Sequence, residues 1–144
     1  MQNVLDVQAV HLYCRRAAEA AKEVGVDKFD ADFFDHTMKA LGLKSGQFCK
    51  MVDATRQAVF QWKRGMCRPY GYRNTAVQEL KKAADYVMEK RGTALPTGEL
   101  FRLSVGALSL EDTSKHGKAS YGHKLMKLVD YIIANEDQKA KKAS

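Results

Sequence analysis

Proline occurs only twice in this chain, at Pro69 and Pro96, and apolar residues recur at intervals of three and four over most of its length. That spacing stacks side chains on one face of an α-helix, and the alternation of a half-buried strand is almost absent. The expectation is an all-α helical bundle. A length of 144 residues, 45% of them apolar and 28% charged, suits one hydrophobic core and not a disordered chain. No run approaches the ~18 apolar residues of a membrane span. The opening ten residues carry Asp6 and no basic cluster, unlike a secretory signal. Three cysteines without the tight spacing of a zinc site predict a reduced, cytoplasmic chain, nucleoid-associated if the source is bacterial.

Helix signals divide the chain as follows. Val10, Cys14, Ala17 and Ala21 predict a first helix over residues 6–24, stopped by Gly25. Asp27 or Asp30 can cap a second, which carries Phe33, Phe34, Met38 and Leu41 and ends at Gly42. Two short helices follow, about residues 45–51 and 55–64, with Gly65 closing the second. A turn holds Pro69, and Thr75 with Gln78 forms a capping-box pattern ahead of a helix running to about Lys90. Residues 91–97 read as a connector, 98–108 as a weak helix, and 111–122 as a long loop or mobile arm. A last helix over 121–135 places Leu125, Leu128, Val129 and Ile132 on one stripe, and the Lys-rich tail behind it is expected to fray. The division into units is a helical domain at 1–92 and a basic, possible dimerising extension at 93–144.

The net charge of +7 is unevenly placed. Residues 1–43 carry a net −2, 44–91 a net +7, 92–114 a net −2 and 115–144 a net +4. Between Thr55 and Arg73 there are five basic residues (Arg56, Lys63, Arg64, Arg68 and Arg73) and no acid. One explanation is a solvated surface; the sharper one is a footprint for a phosphate backbone.

Residues 43–65 explain how such a footprint could be shaped. Phe48, Met51 and Val52 give the first short helix an apolar face, and Cys49 is small enough for a close crossing. Asp53 and Ala54 make a tight turn, and the Thr55 hydroxyl suits the first free amides of the next helix. Val59 and Trp62 bury one side of that second helix. Arg56, Gln57, Phe60, Gln61 and Lys63 remain on the other. Two short crossed helices with an amide-rich, basic outer face are the physics of a helix-turn-helix.

The segment resembles the helix-turn-helix of the lambda-repressor and Cro class, also called the xenobiotic-response-element type. Leu43 falls on that family's first leucine, Phe48 on its packing leucine, Cys49 on its small residue and Thr55 on its capping serine. Val59 falls on the core hydrophobe, Trp62 on the aromatic, Gly65 on the terminal glycine and Pro69 on the trailing proline, without a gap. Departures are Asp53 at the turn glycine, Lys44 at the first cap, Ser45 at a glutamine that meets phosphate, and Lys63 at the glutamate after the aromatic. Aspartate tolerates a left-handed backbone better than most residues, and Ser45 could cap one residue late. The resemblance covers about residues 33–90, between additional N- and C-terminal helices.

What the resemblance implies is a sequence-specific double-stranded DNA-binding regulator, a dimeric repressor of phage, mobile-element or antitoxin-like type on a palindromic operator. Carried over by motif, Arg56, Gln57, Phe60 and Gln61 are the base readers: Arg suits guanine, Gln suits adenine, and a ring suits the thymine methyl. Ser45, Gln47, Lys63, Arg64, Arg68 and Arg73 are the phosphate candidates. Phe48, Cys49, Val52, Val59 and Trp62 form the motif core. Either terminal helix, 6–24 or 121–135, could join a homodimer. A protein-interaction module that engages a polymerase through its basic face, and a non-specific architectural DNA binder, stay open as alternatives. No catalytic triad order, phosphate loop or nucleotide fingerprint occurs. The expectation is therefore no enzyme, no cofactor and no metal; His11 and Cys14 alone lack the further ligands that zinc needs.

Overall fold

Phe34, Thr37, Met38 and Leu41 recur at helical spacing, and burying that stripe draws the eight residues Phe33–Ala40 into a helix, α1. The computed structural model describes residues 33–143, with side chains through residue 139. After α1 come α2 (Ser45–Val52), α3 (Arg56–Lys63), α4 (Gly71–Arg91) and α5 (Glu99–Ser104). Two 3₁₀ turns follow, Leu110–Ser114 and Gly117–Ala119, and then α6 (Tyr121–Ala143). No strand occurs among the described residues, and the chain is an all-α bundle. The helix expected over 6–24 and the caps at Asp27 or Asp30 lie outside the described residues.

Gly42 ends α1 with φ +64°. A Cβ there would lie 2.6 Å from the Pro96 carbonyl oxygen and 2.8 Å from that of Leu95. Only glycine meets both demands, the left-handed backbone and the close approach. The approach is held by the Leu95 N–H donating to Ala40 O (2.9 Å) and the Gly98 N–H donating to Gly42 O (2.8 Å). The connector before α5 is thereby tied back to α1.

The centre of the fold is α4. Its Ala76, Val77, Leu80, Ala83, Ala84 and Val87 are fully buried, and the alanines let α1 and α6 pack closely against it. Tyr121, Leu125, Val129, Ile132 and Ile133 of α6 join the same core as Phe34 and Trp62. The division at 92/93 is therefore not a break in packing. The stripe on the last helix covers its own chain, so its strongest apolar face is not available to a second copy.

Three local expectations are corrected. Thr75 does not cap: α4 starts four residues earlier, and the Thr75 hydroxyl donates to Gly71 O at 3.3 Å, one turn back. Residues 111–122, expected as a long loop or mobile arm, instead hold two 3₁₀ turns and the start of α6. Asp112 is buried there; it accepts from the Ser109 N–H at 3.1 Å and pairs with Lys124 (3.1 Å) and Lys115 (3.2 Å). The hydrogen bond from Lys124 is the chief reason that its carboxyl titrates below the usual range. Finally, α6 runs to Ala143, so the tail continues the helix.

Candidate nucleic-acid interface

A short helix needs its end groups satisfied, and α2 and α3 manage this with side chains nearby. Lys44 is the extended N-cap of α2 and offers no acceptor; instead the Gln47 carboxamide oxygen accepts the Lys44 N–H at 2.9 Å. Ser45 is already the first helical residue, which corrects its expected role as the cap. Asp53 ends α2 in the left-handed region at φ 54°, and no other non-glycine residue among those described has a positive φ. Thr55 caps α3 by accepting the Ala58 N–H at 3.0 Å.

The turn is clamped from α4. The Tyr72 hydroxyl donates to Asp53 Oδ2 at 2.8 Å, and Arg73 Nε donates to the Asp53 carbonyl at 2.7 Å. The Asp53 carboxylate raises the Tyr72 phenol above its ordinary value by accepting that bond. Behind the pair, Phe48, Cys49, Val52, Val59 and Trp62 are all buried. Phe34 of α1 joins the two helices: its ring meets Phe48 edge-on at 5.9 Å and stacks near Trp62 at 6.2 Å.

With that side of α3 buried, Arg56, Gln57 and Phe60 stand exposed on the other, and Gln61 is half-buried beside them. The Arg56 guanidinium lies back over α2, 3.3 Å from where a Cβ on Gly46 would be. Arg64 stacks on the Phe60 ring, its guanidinium carbon 4.9 Å from the ring centroid. Ser45 is exposed, and Arg68 is half-buried.

The phosphate candidates divide. Lys63 pairs with Asp35 of α1 at 2.9 Å, and Arg73 is held by Asp53. Acids from outside residues 55–73 thus approach two of the five cations that the local sequence shows alone. Gln47 has its carbonyl engaged at Lys44. Arg56 and Arg64 carry the charge on the exposed side of α3. The residues themselves do not show that Tyr72 pairs with Asp53 or Asp35 with Lys63, because both contacts cross elements with no local motif to mark them.

Other features bear on chemistry. Among the described residues no three His, Cys, Asp or Glu side chains gather as metal ligands. No helix among them is long and apolar enough to cross a membrane. Cys49 is a buried free thiol, whereas Cys67 is disulfide-bonded, which departs from the expectation of a wholly reduced chain. Compared with protein-family models, with curated proteins and with solved structures, the chain matches none.

Proposed function

We propose that α2 and α3 act as a helix-turn-helix, that α3 enters the major groove, and that the chain is a sequence-specific DNA-binding regulator. A dimeric repressor of phage, mobile-element or antitoxin-like type is the form we favour. The observation that carries this is the composition of the exposed side of α3. Arg56, Gln57, Phe60 and Gln61 line it, no acid lies between Thr55 and Arg73, and Val59 and Trp62 anchor the opposite side. Guanidinium and carboxamide groups are the side chains that pair with base edges in two places at once. Two copies on half-sites one helical turn apart would multiply the discrimination of so short a helix.

The test is selection from a random duplex pool, followed by titration of the enriched duplex and of unrelated DNA at one fixed salt. A preference of order 10³ or more supports the reading. Equal binding to both DNAs overturns it in favour of an architectural binder. One observation favours a second reading: Phe60, Met66, Tyr70 and Tyr72 are large apolar side chains exposed in and just after α3. A protein-interaction module would use these side chains, and it would bind both DNAs weakly, with a shallow salt dependence.

A further inference from the structure

The exposed side of α3 consists of two rows, each spaced by four: Arg56, Phe60 and Arg64 in one, and Gln57 and Gln61 in the other. Phe60 stands at the middle. The residue is 53% exposed, while Val59 and Trp62 on either side in sequence are 2% and 5% exposed. The core therefore does not use it. Arg64 covers part of the ring from one end, and Arg56 leans away from it toward Gly46. The result is an exposed ring with a guanidinium stacked on it, on the same side of α3 as Gln57 and Gln61.

Resting on the DNA reading above, we infer that Phe60 recognises the 5-methyl group of a pyrimidine in the major groove. The favoured half-site then carries a methylated pyrimidine, thymine or 5-methylcytosine, opposite the centre of α3. Two considerations lead here. A carboxamide pairs with the N6 and N7 edge of adenine, and the thymine of that same base pair presents its methyl group to the groove beside it. Gln57 and Gln61 thus choose base pairs whose only apolar feature falls where the Phe60 ring stands. Conversely, guanine and unmethylated cytosine present no methyl group there, and a phenyl ring offers no partner to the O6 of the one or the N4 amine of the other. Set against either, it would remove water from a polar group without replacing the hydrogen bond. Arg56 and Arg64, the exposed cations beside Phe60, make a polyanion, and not an apolar peptide, the occupant of this face.

The experiment uses the full chain and Phe60→Ala. Because the ring is largely exposed, this variant should keep the parent's melting temperature. Sites are selected from random duplex pools containing thymine, and separately from pools in which 5-methylcytosine replaces cytosine. Each enriched duplex is remade with deoxyuridine for one thymidine, or cytosine for one 5-methylcytosine, at a time. The parent should lose about four-fold in affinity at one position per half-site, the worth of a methyl-sized group taken from water. Phe60→Ala should not distinguish the paired duplexes at that position. Loss on uracil assigns the methyl to thymine, and loss only on unmethylated cytosine assigns it to 5-methylcytosine; either outcome supports the inference. Enrichment with no methyl-sensitive position, or the same sensitivity in Phe60→Ala, overturns the inference while leaving DNA recognition standing. No enrichment from any pool overturns the DNA reading itself, and the inference with it.

Discussion

The α2–α3 pair and the segment from the 3₁₀ turns into α6 are both basic in sequence, yet they place their charge differently. In the second, Lys115 and Lys124 converge on the buried Asp112, and Asp130 of α6 meets Lys90 at 3.9 Å and accepts the Tyr86 hydroxyl at 2.6 Å. Those cations hold the fold together. In the first, Lys63 and Arg73 are similarly engaged, but Arg56 and Arg64 face outward among amides and a ring. A local count of lysine and arginine therefore overstates a binding surface wherever a distant acid folds back onto it. Which cations face a ligand is decided by tertiary contacts.

Trp62→Ala should give the largest effect, destabilising the chain by about 3–5 kcal/mol because a buried aromatic leaves a cavity beneath α3. DNA binding should be lost only as a consequence. Thermal melting decides: a variant that melts like the parent but cannot bind would make Trp62 a surface contact.

Next in size, Gln57→Ala should cost about 1–3 kcal/mol on a selected site and little on random DNA. Gln61→Ala should cost less, since Gln61 is half-buried. Titration on both DNAs checks this, and equal losses on the two would remove both residues as readers.

The comparison between the regions is tested most directly by salt. With about three phosphate contacts per subunit, the slope of log K against log salt for a dimer is roughly −5. Arg64→Glu should weaken binding to specific and random DNA together and flatten that slope. Lys115→Glu should leave the slope unchanged and lower the melting temperature instead. A flattened slope in the second variant and not the first would exchange the roles of the two regions.

The smallest effects concern protons. Asp112 has a folded-state pKa below its unfolded value of 3.8. It therefore contributes stability that is fully present above about pH 4 and is lost as pH falls through the depressed pKa. Asp112→Asn should flatten the acid limb of a melting-temperature profile. The Tyr72 phenol is raised above 10.0, so its contribution is present below that pH and fades as the group ionises. Tyr72→Phe should lower the melting temperature slightly and make it less sensitive to alkali.

Features set by near neighbours were legible in the residues. Phe34, Met38 and Leu41 marked α1, Thr55 marked the start of α3, and Val59 with Trp62 marked its buried side. Aspartate at the turn was readable as a left-handed residue because its short polar side chain tolerates that backbone. Thr75 misled because a capping-box pattern is not sufficient for a cap. Pro69 ends the preceding turn and lets α4 begin at Gly71, leaving Thr75 inside a helix already under way. The order of residues 110–120 was invisible for another reason: it depends on Lys124 reaching Asp112 twelve positions away. The apolar stripe of α6 could be read from its spacing, but its destination could not, since the faces of α4 and of a second copy would look alike to it. The Tyr72–Asp53 bond spans nineteen positions and left no mark in either local sequence.

The Tyr121 hydroxyl donates to the Met51 carbonyl at 3.2 Å, a buried bond between residues seventy apart. On a ribosome this imposes an order of events. Helices α2 and α3 are synthesised early, but the last turn of α2 lacks its partner, and one side of α4 stays uncovered, until Tyr121 and the residues behind it have been made. Contacts of such sequence separation form late and slow folding. A fragment ending near residue 92 would accordingly hold the exposed surface of α3 on a loosened pair of helices. Grafting that surface onto another protein would require the final helix to travel with it.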